Sequence, residues 1–90
     1  MSQKNKKRNE KHHFKCRMAL RFDTINNEEY YSIKNQILIG SSKFIERQSK
    51  RTSIHAVMFK NRYIIVVYDN FRQELVTVLP PEDKFYKLFN

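Results

Sequence analysis

The sequence predicts an α+β domain in which two N-terminal helices pack on an antiparallel sheet of three to four strands, followed by a short C-terminal helix. Three apolar, β-branched runs cover residues 52–59, 63–69 and 74–79, and only three and four residues separate them. Connections this short permit only antiparallel neighbours, because a parallel crossover needs about a dozen residues or more. The preceding residues instead carry apolar side chains at helical spacing, which places helices before the sheet.

The first predicted helix covers residues 11–22, where Phe14, Met18 and Phe22 recur every four residues. Asp23-Thr24 ends it. Asn26 followed by Glu29 is typical of a capping pair at the start of a second helix. The apolar positions of that helix are Tyr30, Ile33, Ile37 and Leu38, and the only glycine, Gly40, stands where a left-handed C-cap is wanted.

The remaining segments complete this layout. Residues 43–47 are compatible with a short edge strand, so the strand number stays at three or four, and residues 48–51 form a turn. Pro80-Pro81 ends the last strand because proline cannot donate to the sheet. We therefore predict a flexible basic arm at 1–10, one domain at 11–80 and a C-terminal appendage at 81–90, with a helix whose apolar face is Phe85, Leu88 and Phe89.

Charge points to a polyanionic partner. The 90 residues include 18 Lys and Arg against 9 Asp and Glu, and six of the nine net positive charges lie within residues 1–17. Such an excess favours nucleic acid before an anionic membrane surface, while a solubilising tail is the alternative. Cys16 is the only cysteine, so no internal disulfide forms and a cytoplasmic location is expected. The sequence shows no membrane span and no motif for a metal or a cofactor.

The strand pattern suggests a division between two faces. If both hairpin loops hold an even number of residues, His55 lies opposite Tyr68 and Thr77 falls on the same side. The other face would then be the core, formed by Ile54, Ala56, Met58, Ile65, Val67, Val76 and Val78. The face with imidazole, phenol and hydroxyl groups becomes a candidate site.

The first helix adds a strip of cations. His13, Arg17 and Arg21 follow each other at intervals of four residues, so they line one side of the helix, with His12 as an equivalent for His13. A phosphate between them would relieve their repulsion, and the alternative is a solvated basic face. Histidine titrates near neutrality and arginine binds phosphate bidentately, so we expect these side chains to be able to support RNA cleavage without a metal.

At these residues the chain resembles a known group of proteins. The helix pattern His13, Arg17, Arg21, Phe22 with the strand endings 66–69 (VVYD) and 76–80 (VTVLP) is similar to small metal-independent ribonuclease toxins. They belong to the assemblage of barnase, RelE and colicin-type tRNases, with many phage and prophage members. The resemblance implies catalytic roles for His13 or His12, for Arg17 and for Thr77, with Tyr68 helping to position the nucleotide. His55 joins this catalytic set because the strand pattern places it on the same face, close enough to orient the nucleotide.

The function predicted from the sequence is RNA binding with cleavage to a 2′,3′-cyclic phosphate. The expected RNA-binding residues are Lys6, Lys7, Arg8, His12, Arg21, Arg51, Ser53, Arg62 and Arg72. The partners would be RNA, with tRNA and mRNA both open, and a protein antitoxin or host protein. The alternative is a non-catalytic phage-type protein that binds a host protein or nucleic acid on the same basic scaffold.

Overall fold

The computed structural model describes the backbone of residues 3–89 and the side chains of residues 10–89, and it confirms the α+β fold. The elements are α1 (Gln3–Arg21), α2 (Asn27–Leu38), β1 (Lys43–Arg47), β2 (Thr52–Phe59), β3 (Arg62–Asp69), β4 (Glu74–Val78) and a 3-10 turn at Lys84–Leu88. The four strands form one sheet in the order β1-β2-β3-β4, and all neighbours are antiparallel. Residues 43–47 are therefore a strand of the sheet.

The first helix is longer than the apolar pattern predicts. It begins at Gln3 and not at Lys11, so most of the segment assigned to a flexible arm continues the helical backbone. Residues 3–10 contain mainly Lys, Arg, Gln, Asn and Glu and no proline or glycine. Lys, Arg, Gln and Glu are good helix formers, which lets the helix extend beyond its apolar stripe. The side chains of Lys6, Lys7 and Arg8 lie outside the described residues.

The second helix begins with the predicted capping box. The side-chain oxygen of Asn26 accepts from the Glu29 N–H at 2.8 Å, and the Glu29 carboxylate accepts from the Asn26 N–H at 3.0 Å. Gly40 adopts a positive φ of 79° after the helix, as predicted. The Gln36 amide binds both the carbonyl and the N–H of Met58, at 2.8 and 2.9 Å, and so fixes α2 on β2.

Both faces of the sheet are buried, so the predicted division into an apolar and a polar face is wrong. One core cluster packs the helices on one face and includes Phe14, Met18, Ile33, Val57, Ile64, Val66 and Tyr68. A second cluster covers the other face and includes Ile54, Ala56, Ile65, Val67 and Tyr86. The reason lies in β3, whose consecutive apolar residues 64–67 present apolar side chains to both sides. The helices pack on the face that also carries His55 and Tyr68.

The strand register differs from the prediction in two places. Ser53 lies opposite Tyr68, and His55 lies opposite Val66, two residues along the same face. Between β3 and β4 the register shifts, so that Tyr68 pairs with Leu75 whereas Val67 pairs with Thr77. This bulge inserts one residue and turns Thr77 to the face opposite His55 and Tyr68.

The C-terminal residues form a 3-10 turn that closes the second face. The Tyr86 hydroxyl accepts from the Ile65 N–H at 3.0 Å and donates to the Leu79 carbonyl at 2.7 Å. Phe85 and Phe89 pack against the same cluster. Leu88, predicted to share their apolar face, is 64% exposed. A 3-10 turn has three residues per turn, so its buried side differs from that of an α-helix.

We expect Tyr86→Phe to lower the free energy of unfolding by about 1–3 kcal/mol, because a buried N–H and a carbonyl each lose their partner. Chemical denaturation followed by circular dichroism measures the change. Tyr31→Phe is the matched control, since the Tyr31 hydroxyl binds Lys11 at the surface, and its effect should stay within about 0.5 kcal/mol. Equal losses in the two variants would contradict the structural role of the Tyr86 hydroxyl.

Candidate nucleic-acid interface

The outer side of α1 presents His13 and Arg17 of the predicted strip, whereas Arg21 turns towards Val78. Phe14 and Met18 are fully buried beneath the helix, which leaves His12, His13 and Arg17 exposed. Along the border with α2, Lys11 donates to the Tyr31 hydroxyl at 3.0 Å and Lys15 donates to the side-chain oxygen of Asn27 at 2.9 Å. These bonds hold the lysines in place without neutralising them.

The C-terminal end of α1 borders a small cationic pocket. Its lining is formed by Arg21, Phe22, Asp23, Phe59, Lys60, Arg62 and Pro81, around a cavity of about 230 Å³. Lys60 stands in the β2–β3 turn with a φ of 49°, and Asn61 follows with a φ of 67°. Two consecutive positive φ values are typical of a tight hairpin turn. This turn places Lys60 and the following Arg62 at one end of the sheet.

Each cation of this pocket is held by a neighbour. Arg21 donates to the carbonyl of Val78, and the Arg62 guanidinium lies 4.9 Å from the centre of the Phe22 ring. The Lys60 ammonium lies 2.6 Å from an Asp23 carboxylate oxygen. The hydrogen bond from Lys60, and then its charge, lower the pKa of Asp23, while the hydrogen bond to Asp23 raises the pKa of Lys60. Only one of the three cations therefore faces a carboxylate.

A second polar cluster surrounds His55, but it is buried. The His55 ring nitrogens lie 3.0 Å from the Ser42 hydroxyl and 2.8 Å from the Ser53 hydroxyl, and Asn70 donates to Ser53 at 3.2 Å. His55 and Ser53 are 9% and 2% exposed. Burial lowers the pKa of His55, and this network suits a neutral ring in which one nitrogen accepts and the other donates.

Aromatic rings enclose the imidazole. The His55 ring centre lies 5.6 Å from that of Phe44 and 6.0 Å from that of Tyr68, with near-perpendicular planes in both pairs. Burial, followed by the charge of Asp69, raises the pKa of Tyr68, so its hydroxyl remains protonated at neutral pH. The cluster packs the helix-covered face and offers little surface to a ligand.

Two arginines predicted to bind RNA are engaged in ion pairs. Arg51 lies 2.9 Å from the Asp69 carboxylate, and Arg72 lies 2.8 Å from that of Glu10. Asp69 also accepts from the N–H groups of Phe71 and Arg72 in the β3–β4 turn. Burial raises the pKa of Asp69, but the hydrogen bonds from Arg72 and Arg51 outweigh it and lower the pKa overall. Both arginines thus stabilise the turn and the position of α1.

The predicted catalytic residues do not share one site. Thr77 pairs with Val67 on one face of the sheet, while His55 and Tyr68 lie on the other. The same-side placement of these three residues is therefore wrong. His13 and Arg17 are exposed on α1, which packs on the face opposite to Thr77.

Of the other predicted residues, Arg21 and Arg62 meet in the cationic pocket. Lys60 in this pocket, and Ser42 and Asn70 around His55, were not predicted from the sequence. Lys60 stands in the tight turn that Arg62 follows, and its place between two predicted strands was visible in the sequence. The contact of this loop with the end of α1 depends on tertiary packing.

Comparison with protein-family models, with curated proteins and with solved structures finds no match to this chain. The resemblance to ribonuclease toxins therefore stays a prediction. Within the described residues, no helix combines the length and the apolar character needed to cross a membrane. The same part of the chain holds no group of three or more His, Cys, Asp and Glu side chains arranged for a metal ion.

We expect the free energy of unfolding to fall as the pH drops below about 6.5, the usual pKa of histidine. The folded-state pKa of His55 is lowered, so the unfolded chain takes up a proton first, and acid favours unfolding. Denaturant titrations across this pH range should show a smaller decrease in the free energy of unfolding with falling pH for His55→Gln than for the wild type. His13→Gln, which removes an exposed imidazole, is the control. An unchanged pH profile in His55→Gln would contradict the assignment.

Proposed function

We propose that this protein binds single-stranded RNA through the outer side of α1 and does so without cleaving it. The observation that carries the proposal is the excess of basic over acidic residues in the sequence of this helix. Its 19 residues, QKNKKRNEKHHFKCRMALR, include eight Lys and Arg and a single acidic residue, Glu10. Glu10 is paired with Arg72 of the β3–β4 turn, outside the helix. Phosphate groups are the partner that such a surface favours.

The contacts of the described cations support this choice. Lys11, Lys15 and Arg21 each donate to a neutral oxygen, of Tyr31, Asn27 and Val78 respectively. Arg17 is exposed between them. A neutral partner orients a cation and leaves its charge available, whereas a carboxylate would cancel it. At a rise of 1.5 Å per residue, the described cations from Lys11 to Arg21 extend over about 15 Å of α1.

An aromatic side chain beside the basic surface favours a single strand. Tyr31 is 49% exposed on α2. The ammonium groups of Lys11 and Lys34 lie 4.8 and 5.5 Å from its ring centre. Hydrogen bonding and charge from Lys11 lower the pKa of its hydroxyl. Stacking of bases on exposed aromatic rings, next to cations that follow the backbone, is the usual way in which proteins bind single strands.

The geometry favours binding over catalysis. Cleavage at the ribose 2′-hydroxyl requires a base and an acid within hydrogen-bond reach of one phosphate. The His55 ring is buried with both nitrogens near serine hydroxyls, and Thr77 lies on the opposite face of the sheet. RNA is chosen over DNA because of the sequence resemblance to ribonuclease toxins, and single-stranded DNA is an arm of the test.

We expect Arg17→Gln to weaken binding of a labelled single-stranded RNA and to reduce the slope of log affinity against log salt by about 0.7, which corresponds to one lost phosphate contact. Fluorescence anisotropy over a salt series measures both quantities. Lys87→Gln, which removes an exposed cation from the C-terminal 3-10 turn, is the control with the same charge change and should leave the slope unaltered. Equal effects of the two substitutions would show that only net charge matters.

We also expect total RNA and tRNA to stay intact when incubated with the protein in EDTA. The assay compares wild type with His13→Ala by gel and by detection of 2′,3′-cyclic phosphate ends. Production of such ends by the wild type and a loss of about 10²–10⁴-fold in His13→Ala would overturn the non-catalytic proposal in favour of a ribonuclease. Tighter binding of single-stranded DNA than of RNA would instead change the nucleic acid assigned.

A further inference from the structure

The cationic pocket at the end of α1 holds more positive than negative charge. It is lined by Arg21, Lys60 and Arg62 and by one carboxylate, that of Asp23. Lys60 and Asp23 neutralise each other at 2.6 Å. Arg21 and Arg62 are held by a backbone carbonyl and by the Phe22 ring, neither of which carries a charge. The pocket therefore retains two positive charges.

Both arginines are oriented before any ligand arrives. Stacking on Phe22 restricts the Arg62 guanidinium, and the bond to Val78 restricts that of Arg21. A guanidinium presents several N–H donors in a fixed fork that matches the oxygens of a phosphate. The C-terminus of a helix is the negative end of its dipole, equivalent to about half a charge, which the two arginines outweigh.

The size of the cavity limits what can enter it. Its volume of about 230 Å³ is below the range of about 300–1,000 Å³ that is usual for pockets holding whole small-molecule ligands. A single phosphate group with part of its sugar suits this space better than a complete nucleotide. Phe22 and Phe59 add apolar wall, and less polar surroundings strengthen the attraction between guanidinium and phosphate.

We propose that this pocket binds the terminal phosphate monoester of an RNA strand whose backbone runs along α1. The proposal rests on the RNA binding argued above and adds the kind of RNA end that is recognised. A phosphate monoester carries about −1.5 to −2 charges at pH 7, with a second pKa near 6, whereas a phosphodiester within the strand carries one. Within the part of the chain whose side chains are described, Arg21 and Arg62 form no ion pair, and two such arginines match the monoester.

The test uses the full chain and three RNA oligonucleotides of one sequence, with a 5′-phosphate, a 3′-phosphate, or hydroxyl groups at both ends. We expect one phosphorylated oligonucleotide to bind about tenfold more tightly than the hydroxyl form, a difference of about 1.4 kcal/mol. The preferred end identifies which terminus is recognised. Inorganic phosphate at high concentration should compete for the pocket and lower the affinity of the phosphorylated oligonucleotide to that of the hydroxyl form.

Variants separate the pocket from the helix surface. Arg62→Gln should abolish the preference for the phosphorylated end, and Arg62→Lys, which keeps the charge but loses the fork, should reduce it. Arg17→Gln should weaken the binding of all three oligonucleotides by the same factor. Thermal unfolding of each variant verifies that the fold persists, and the comparison of oligonucleotides on the wild type needs no variant at all.

The outcomes distinguish this proposal from the proposed function. Equal binding of all three oligonucleotides by the wild type would overturn end recognition and leave RNA binding intact. Failure of every oligonucleotide to bind at low salt would overturn the RNA-binding function itself. A preference that survives in Arg62→Gln would place the terminal phosphate elsewhere on the protein and so refute the pocket.

Discussion

The central strand β3 must be covered on both sides, and the rest of the structure follows from this constraint. Residues 64–67 of β3 are almost fully buried, although an antiparallel sheet often leaves one face to solvent. The two covers come from the segments that precede and follow the sheet in the chain. The helices cover one face, and the C-terminal 3-10 turn closes the other through Tyr86. Both faces of the sheet are thereby lost as binding surfaces, which leaves the outer sides of the helices and the edges and ends of the sheet.

Phe22 links these two covers. It packs against both core clusters, and its ring lies near that of Tyr86, with 5.9 Å between the ring centres. The end of α1 is thus fixed at the edge where the helical layer and the C-terminal turn meet. Because the same ring supports the Arg62 guanidinium, a residue required for core packing also orients a surface cation. The cationic pocket is a consequence of how the two layers join.

Local sequence patterns predicted the helices and strands well. The strand register and the faces of the side chains were harder to predict because they depend on long-range pairing. The capping box at Asn26 and the hairpin meander are determined by neighbouring residues, and both are confirmed. The face of Thr77 depended on counting residues across a hairpin, and one inserted residue in β4 reverses such a count. The bulge leaves no clear signal in Glu74–Val78, where every position is a plausible strand residue. The helix extension to Gln3 was missed because good helix formers need no apolar stripe.

The partner that each charged residue contacts in the fold explains why only part of the candidate site could be predicted from the sequence. Spacing on the helix identified Arg17 and Arg21 as a strip, but it could not show that Arg21 would turn towards Val78 and join Arg62. The sequence likewise does not distinguish Arg51 and Arg72 from Arg62. In the structure, however, Arg51 and Arg72 pair with carboxylates, and these ion pairs stabilise the β3–β4 turn and the position of α1. Nine acidic residues cannot neutralise eighteen basic ones, and the fold directs some of these acids to arginines with structural roles. Some of the cations that these acids leave unpaired in the described part of the chain lie along α1 and in the pocket at its end, and these are the surfaces that we propose to bind RNA.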